Sequence, residues 1–113
     1  MNSYESGIFA EFRARWFLRF HGFRILKSRY TTGRNTNRAE IDIIARRGNL
    51  LVFCEVKKRG SVADALEAVS FGQAARLRRA AESYIAKSRW RGDARFDAIA
   101  VCGRRIHWFK NFI

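Results

Sequence analysis

Acidic residues are scarce in this sequence, with 10 Asp and Glu set against 23 Lys and Arg, a formal net charge of +13. So strong a positive balance draws the chain toward polyanions, nucleic acid first among them. Cysteine is nearly absent too: Cys54 and Cys102 stand alone, without a CxxC partner or a histidine at ligand spacing. That argues against a zinc site and leaves two buried, reduced thiols, as expected of a cytoplasmic protein. No uninterrupted apolar run approaches the ~20 residues of a membrane span, so no membrane partner is expected. Glu5, Glu11, Arg13, Arg15 and Arg19 break the hydrophobic start of the chain, which excludes a secretory core segment and, through the acids, weakens a transit-peptide reading. Linkers, internal repeats and low-complexity segments are also missing. With 113 residues, nearly half of them hydrophobic, the expectation is one folded domain over 1–113.

Against this background the few acids are unevenly placed. Two short runs rich in β-branched and aromatic residues, over about 40–46 and 50–57, flank the polar Gly48-Asn49 and predict an antiparallel hairpin. Alternation along a strand puts Glu40, Asp42 and Ile44 on one face, and Leu51, Phe53, Glu55 and Lys57 on one face of the partner. Asp42, Glu55 and Lys57 can therefore meet. Strands this apolar are usually covered on both sides, and charge buried there costs several kcal/mol unless paired or bound to metal. Two carboxylates and an amine converging on such a surface suit a hard divalent cation with a lysine beside it. The plainer reading is a cross-strand ion pair that includes Glu55, with Asp42 ending at a strand edge.

Elsewhere the pattern predicts a short lead over 1–6. A first helix follows over about 7–21, its apolar stripe made of Ile8, Phe9, Phe12, Trp16, Phe17 and Phe20, ended by Gly22. Glu11 on this helix reads either as a residue facing the hairpin or as a surface partner of Arg15. A strand over 23–30 precedes a polar loop over 31–38, which suits contact with a phosphate backbone. Beyond Gly60-Ser61 one long helix is expected over 62–87, buried through Leu66, Val69, Leu77, Ala80 or Ala81, and Tyr84. Gln73 falls on that stripe, so its amide needs partners, unless Gly72 turns it to solvent. Strands over 95–102 and 105–110 form a second hairpin about Gly103-Arg104. Asp97 and His107 in it read as structural, while Trp108, Phe109 and Phe112 are expected to close the core against the first helix.

A helix bearing Glu11, a strand, a hairpin carrying Asp42 and then Glu55-Val56-Lys57, a helix and a strand: this order resembles the PD-(D/E)xK nuclease superfamily. Ala39-Glu40-Ile41-Asp42-Ile43-Ile44-Ala45 and Val52-Phe53-Cys54-Glu55-Val56-Lys57-Lys58-Arg59 closely resemble the YraN-like family of small bacterial proteins, itself related to archaeal Holliday-junction resolvases. The likeness runs from Gly7 through Glu67-Ala68-Val69 to Phe112. The chain departs from the pattern in having Ile41 where the superfamily's proline stands, as is usual in the YraN-like group, and in having no proline at all. It also has Ala39 before Glu40-Ile41-Asp42 where glycine is common, and Gln73 where a lysine is often found.

The resemblance implies an α/β fold, a restriction-endonuclease-like core with a mixed sheet of about five strands flanked by two main helices. It implies a metal-dependent endonuclease hydrolysing phosphodiester bonds in DNA, structure-directed toward branched or repair and recombination intermediates. Asp42, Glu55 and the Val56 carbonyl would hold Mg²⁺ or Mn²⁺, with Glu11 orienting water or a second ion. Lys57 would position the attacking water and offset charge on the phosphate. Gln73 completes the expected catalytic set. Arg34, Arg38, Lys58, Arg59 and Arg76 are the expected phosphate contacts. A homodimer is expected because so small a domain offers little grip on a branched substrate. The alternatives are a nucleic-acid-binding protein that keeps the nuclease fold without turnover, and an RNA- or ribosome-associated factor.

Overall fold

The computed structural model describes residues 2–33, 38–69 and 71–113 and, of residues 71 and 72, the backbone alone. Helix α1 (Ser3–Phe20) is followed by strands β1 (Arg24–Thr32), β2 (Ala39–Arg47) and β3 (Leu50–Lys58). Helices α2 (Val62–Glu67) and α3 (Phe71–Ser88) then lead to β4 (Asp93–Cys102) and β5 (Arg105–Phe109). The five strands form one mixed sheet in the order β1-β2-β3-β4-β5, with β3 and β4 parallel and the other neighbours antiparallel. This α/β arrangement, with two substantial helices and one short one, is compatible with a restriction-endonuclease-like core.

The sheet is covered on both faces, which explains why Ile43 to Ala45 of β2 and Leu50 to Cys54 of β3 are apolar at every position. On one face Ala10, Ala14 and Leu18 of α1 pack on Ile43, Ala45, Val52, Cys54, Ile99 and Val101. On the other, Leu77, Ala80 and Ala81 of α3 pack on Ile41, Ile44, Leu51 and Phe53. Parallel pairing of β3 with β4 needs a crossover, and residues 59–92, carrying α2 and α3, supply it.

Several expectations are corrected. Helix α1 begins at Ser3 rather than Gly7, because Asn2 caps it: its side-chain oxygen accepts the Glu5 N–H at 2.8 Å. Its buried stripe is Ala10, Ala14 and Leu18; the aromatic stripe of Phe9, Phe12, Trp16 and Phe20 faces solvent. Small residues let the helix axis lie close to the sheet, and the large ones one face round are left outside. Gly22 does end α1, at φ +85°, where a side chain would be strained and would crowd Arg47. The single helix expected over 62–87 is two: α2 buries Ala65 rather than Leu66, and α3 begins anew at Phe71. Trp108 does meet α1, its ring edge-on to Phe17 at 5.7 Å, but Phe112 is exposed.

Asp97 explains how the second hairpin is fastened. Fully buried, it takes two hydrogen bonds from the Arg95 guanidinium (2.8 and 2.9 Å), one from Trp108 Nε1 (2.8 Å) and one from the Asn111 N–H (2.8 Å). Four donors satisfy the carboxylate where water cannot reach it.

Candidate active site at the β2–β3 seam

Paired residues join β2 to β3 from Arg47↔Leu50 up to Ile43↔Cys54, and there the ladder stops although both strands continue. Beyond that point β2 stays paired with β1, and β3 with β4. The Val56 N–H, which would otherwise lose its acceptor, donates instead to Asp42 Oδ2 at 2.7 Å. A side chain thus replaces the backbone at the fork and supplies the acceptor that this partly buried N–H needs. Strict alternation also breaks here: Ile41 and Ile44 lie against α3 while Ile43 lies against α1. Asp42 accordingly reaches into the seam instead of sharing a face with Ile44.

Glu55, buried on β3, comes to the same fork. Its Oε1 accepts a hydrogen bond from Gln73 Nε2 at 2.8 Å and lies 3.1 Å from Lys57 Nζ. Alternation along β3 sets Glu55 and Lys57 on one side. The first turn of α3 brings Gln73, and this it does because α3 starts afresh after α2, not through any continuous seven-residue stripe from Leu66. Burial and the neighbouring Glu55 charge push the Asp42 carboxyl up to about 8. Glu55 is likewise raised by burial, with Lys57 opposing the rise. The two carboxyls therefore hold a proton between them near neutrality.

Glu11 is tied to Arg29 of β1, whose Nε and second guanidinium nitrogen donate to its two oxygens at 3.0 and 3.2 Å. It pairs neither with Arg15 nor into a three-carboxylate cage: among the described residues no three Asp, Glu, His or Cys side chains gather as a ready-made metal site. Nothing in the sequence flagged Arg29, which sits on β1 at φ +52° and is brought to α1 only by the fold. Two hollows flank the fork. Ser3, Ser6, Gly7, Ala10 and Glu11 line one together with the run Val56 to Arg59; Arg38, Ala39, Glu40, Gln73 and Arg76 line the other. Glu55 links them, since it touches both Lys57 and Gln73. Of the expected phosphate contacts, Lys58 and Arg59 thus border the first hollow and Arg38 and Arg76 the second, while Arg34 lies outside the described residues.

Residues 10–101 match the Uncharacterised protein family UPF0102. The chain belongs to the UPF0102 family. It is 42% identical over 106 residues to a UPF0102 protein of Bartonella quintana, covering 92% of this chain and 84% of that one. A UPF0102 protein of Bradyrhizobium diazoefficiens is 41% identical over 106 residues, 92% and 77% of the two chains. One of Shewanella amazonensis is 39% identical over 109 residues, 93% and 95% of the two.

In this UPF0102 chain the donors at the fork suit a hard cation. Asp42 and Glu55 offer carboxylate oxygens, of which Asp42 is held up by burial and by the Glu55 charge while Lys57 partly offsets Glu55, and the Val56 carbonyl lies on β3 next to Glu55. No helix among the described residues is long and apolar enough to cross a membrane.

Proposed function

We propose that this chain is a metal-dependent endonuclease that hydrolyses phosphodiester bonds in DNA, directed by structure toward branched or repair and recombination intermediates, and acting in the cytoplasm. The observation that carries the reading is the fork itself: β2 and β3 part where Asp42 and Glu55 face each other, with Lys57 Nζ 3.1 Å from Glu55. Two carboxylates buried at this parting cost more than the Val56 N–H, Gln73 and Lys57 return, since burial still raises both Asp42 and Glu55, and a bound cation would offset that cost.

Asp42, Glu55 and the Val56 carbonyl would hold Mg²⁺ or Mn²⁺, which when bound supplies Lewis-acid polarisation of the phosphoryl oxygens. Lys57 orients the attacking water and offsets charge developing on the phosphate. Gln73 fixes the Glu55 carboxylate through its 2.8 Å hydrogen bond. Glu11 is placed by Arg29 at the edge of the hollow that Lys57 also lines, where it can orient water. Arg38, Arg76, Lys58 and Arg59 grip phosphates on either side without reading bases.

A second reading is a nucleic-acid-binding protein without turnover. The Glu11–Arg29 ion pair favours it, because it occupies a carboxylate that the reaction would draw on. Incubation of the purified protein with branched, flapped and single-stranded DNA under Mg²⁺ or Mn²⁺ separates the two. Cleavage lost in Asp42→Ala and Lys57→Ala supports the enzyme; cleavage surviving either change marks a contaminant and removes the catalytic assignment.

A further inference from the structure

The aromatic face of α1 is unaccounted for by the fold or by the chemistry at the fork. Phe20 is 83% exposed, and Ile8, Phe9, Phe12 and Trp16 are between 38 and 49% exposed. They line one side of the helix at three- and four-residue spacing, with shallow apolar hollows on both sides of Phe12. With a full side chain of this size offering about 200 Å², these five leave about 500 Å² of apolar surface in water, near the upper end of what monomers expose.

We propose that two copies of this chain pair through this face, α1 against α1 in antiparallel orientation, with the two-fold axis at Phe12. Antiparallel helices centred on residue 12 place each residue opposite the one equally far on the other side of the centre. Tyr4 then meets Phe20, Ile8 meets Trp16, Phe9 meets Arg15, and Phe12 meets its own copy. Glu5, the acid of the first turn, falls opposite Arg19, the base of the last. Every pairing is apolar, cation–aromatic or of opposite charge, the self-complementarity a two-fold interface demands. The arginines already favour these rings within one chain, Arg19 lying 4.7 Å from the Trp16 ring centre and Arg15 6.0 Å from that of Phe12. The stripe with its flanking Tyr4, Glu5, Arg15 and Arg19 approaches the ~800 Å² per partner of a standard interface. Copies carrying +13 repel one another, and salt screens that repulsion while leaving apolar contact intact.

Sedimentation velocity over a concentration series, at low and at high salt, tests this. A dimer that holds or tightens as salt rises is expected. Phe12→Glu should weaken it about tenfold or more, with circular dichroism and melting temperature unchanged. Glu5→Arg should weaken it, and Glu5→Arg with Arg19→Glu should restore it. A chain monomeric at every concentration overturns the proposal, as does a Phe12→Glu protein that dimerises like the wild type. Failure of the double change to rescue overturns the antiparallel register. Should a single-stranded oligonucleotide bind the monomer and lose its affinity in Phe12→Glu, the stripe is a base-stacking platform and the second copy is not its occupant.

Discussion

Gln73 Nε2 donates to Glu55 Oε1 over 2.8 Å, tying the first turn of α3 to the middle strand of the sheet. A hydrogen bond to a charged group contributes about 1.5–3 kcal/mol. Gln73→Ala should therefore lower stability by about that amount, read by urea unfolding, and lower cleavage about tenfold or more. Gln73→Lys keeps a donor at that place and should retain more activity than the alanine variant in the same assay.

Lys57 and Asp42 are expected to matter most. Loss of a group that offsets developing charge on a transferring centre costs about 10²–10³ in rate. Lys57→Ala and Asp42→Asn should each lose at least that much cleavage of branched DNA under Mn²⁺, while circular dichroism shows the fold intact. A DNA affinity unchanged in Lys57→Ala alongside lost cleavage would mark the lysine as acting on the reaction rather than on binding.

Asp42 makes both stability and ion binding depend on pH. The folded chain keeps its proton up to about 8, whereas the unfolded chain loses it near 3.8. Between those values the folded state holds the extra proton, so in the absence of divalent ions this group makes stability fall as pH rises, and it makes no further difference above 8. An ion bound by the carboxylate displaces that proton, so Mn²⁺ affinity should climb by about tenfold per pH unit until the same point. Melting curves without divalent ions and calorimetric Mn²⁺ titrations, both run from about pH 6 upward, check the two slopes. Asp42→Asn should flatten the first and abolish the second.

Asp97→Ala should be the costliest change far from the fork. It leaves the partly buried Arg95 guanidinium and the Trp108 N–H without their acceptor, a loss of about 3–5 kcal/mol. Urea unfolding measures it. Because β5 and Asn111 hang on the same carboxylate, their amide protons should exchange first in the variant.

The logarithm of nucleic-acid affinity should fall linearly with the logarithm of salt concentration. Replacing Arg76 or Lys58 by Ala should weaken binding to all sequences alike and reduce the slope by about one for each phosphate no longer neutralised. Filter binding with unrelated duplexes across a salt series reads both effects.

Much of the chain was legible from periodicity and turn chemistry. The β2–β3 hairpin, its Gly48 turn, the Gly103 turn of the second hairpin and the stop at Gly22 follow from local preferences that neighbours do not override. Spacing along β3 likewise put Glu55 beside Lys57. What pattern alone could not decide was which side of an amphipathic element faces in. On α1 the bulky stripe carried the stronger signal, yet the helix lies on its alanines, because close approach to a flat, filled sheet rewards small side chains. The break between α2 and α3, the parting of β2 from β3 at Asp42, and the capture of Glu11 by Arg29 are not written in the local pattern of any one element. The sequence by itself determined the strands, the turns and the chemical groups available. Only the tertiary structure decided that the Asp42 carboxylate, rather than a strand backbone, would receive the Val56 N–H, because β2 and β3 stop pairing before this point and a partly buried donor still needs an acceptor.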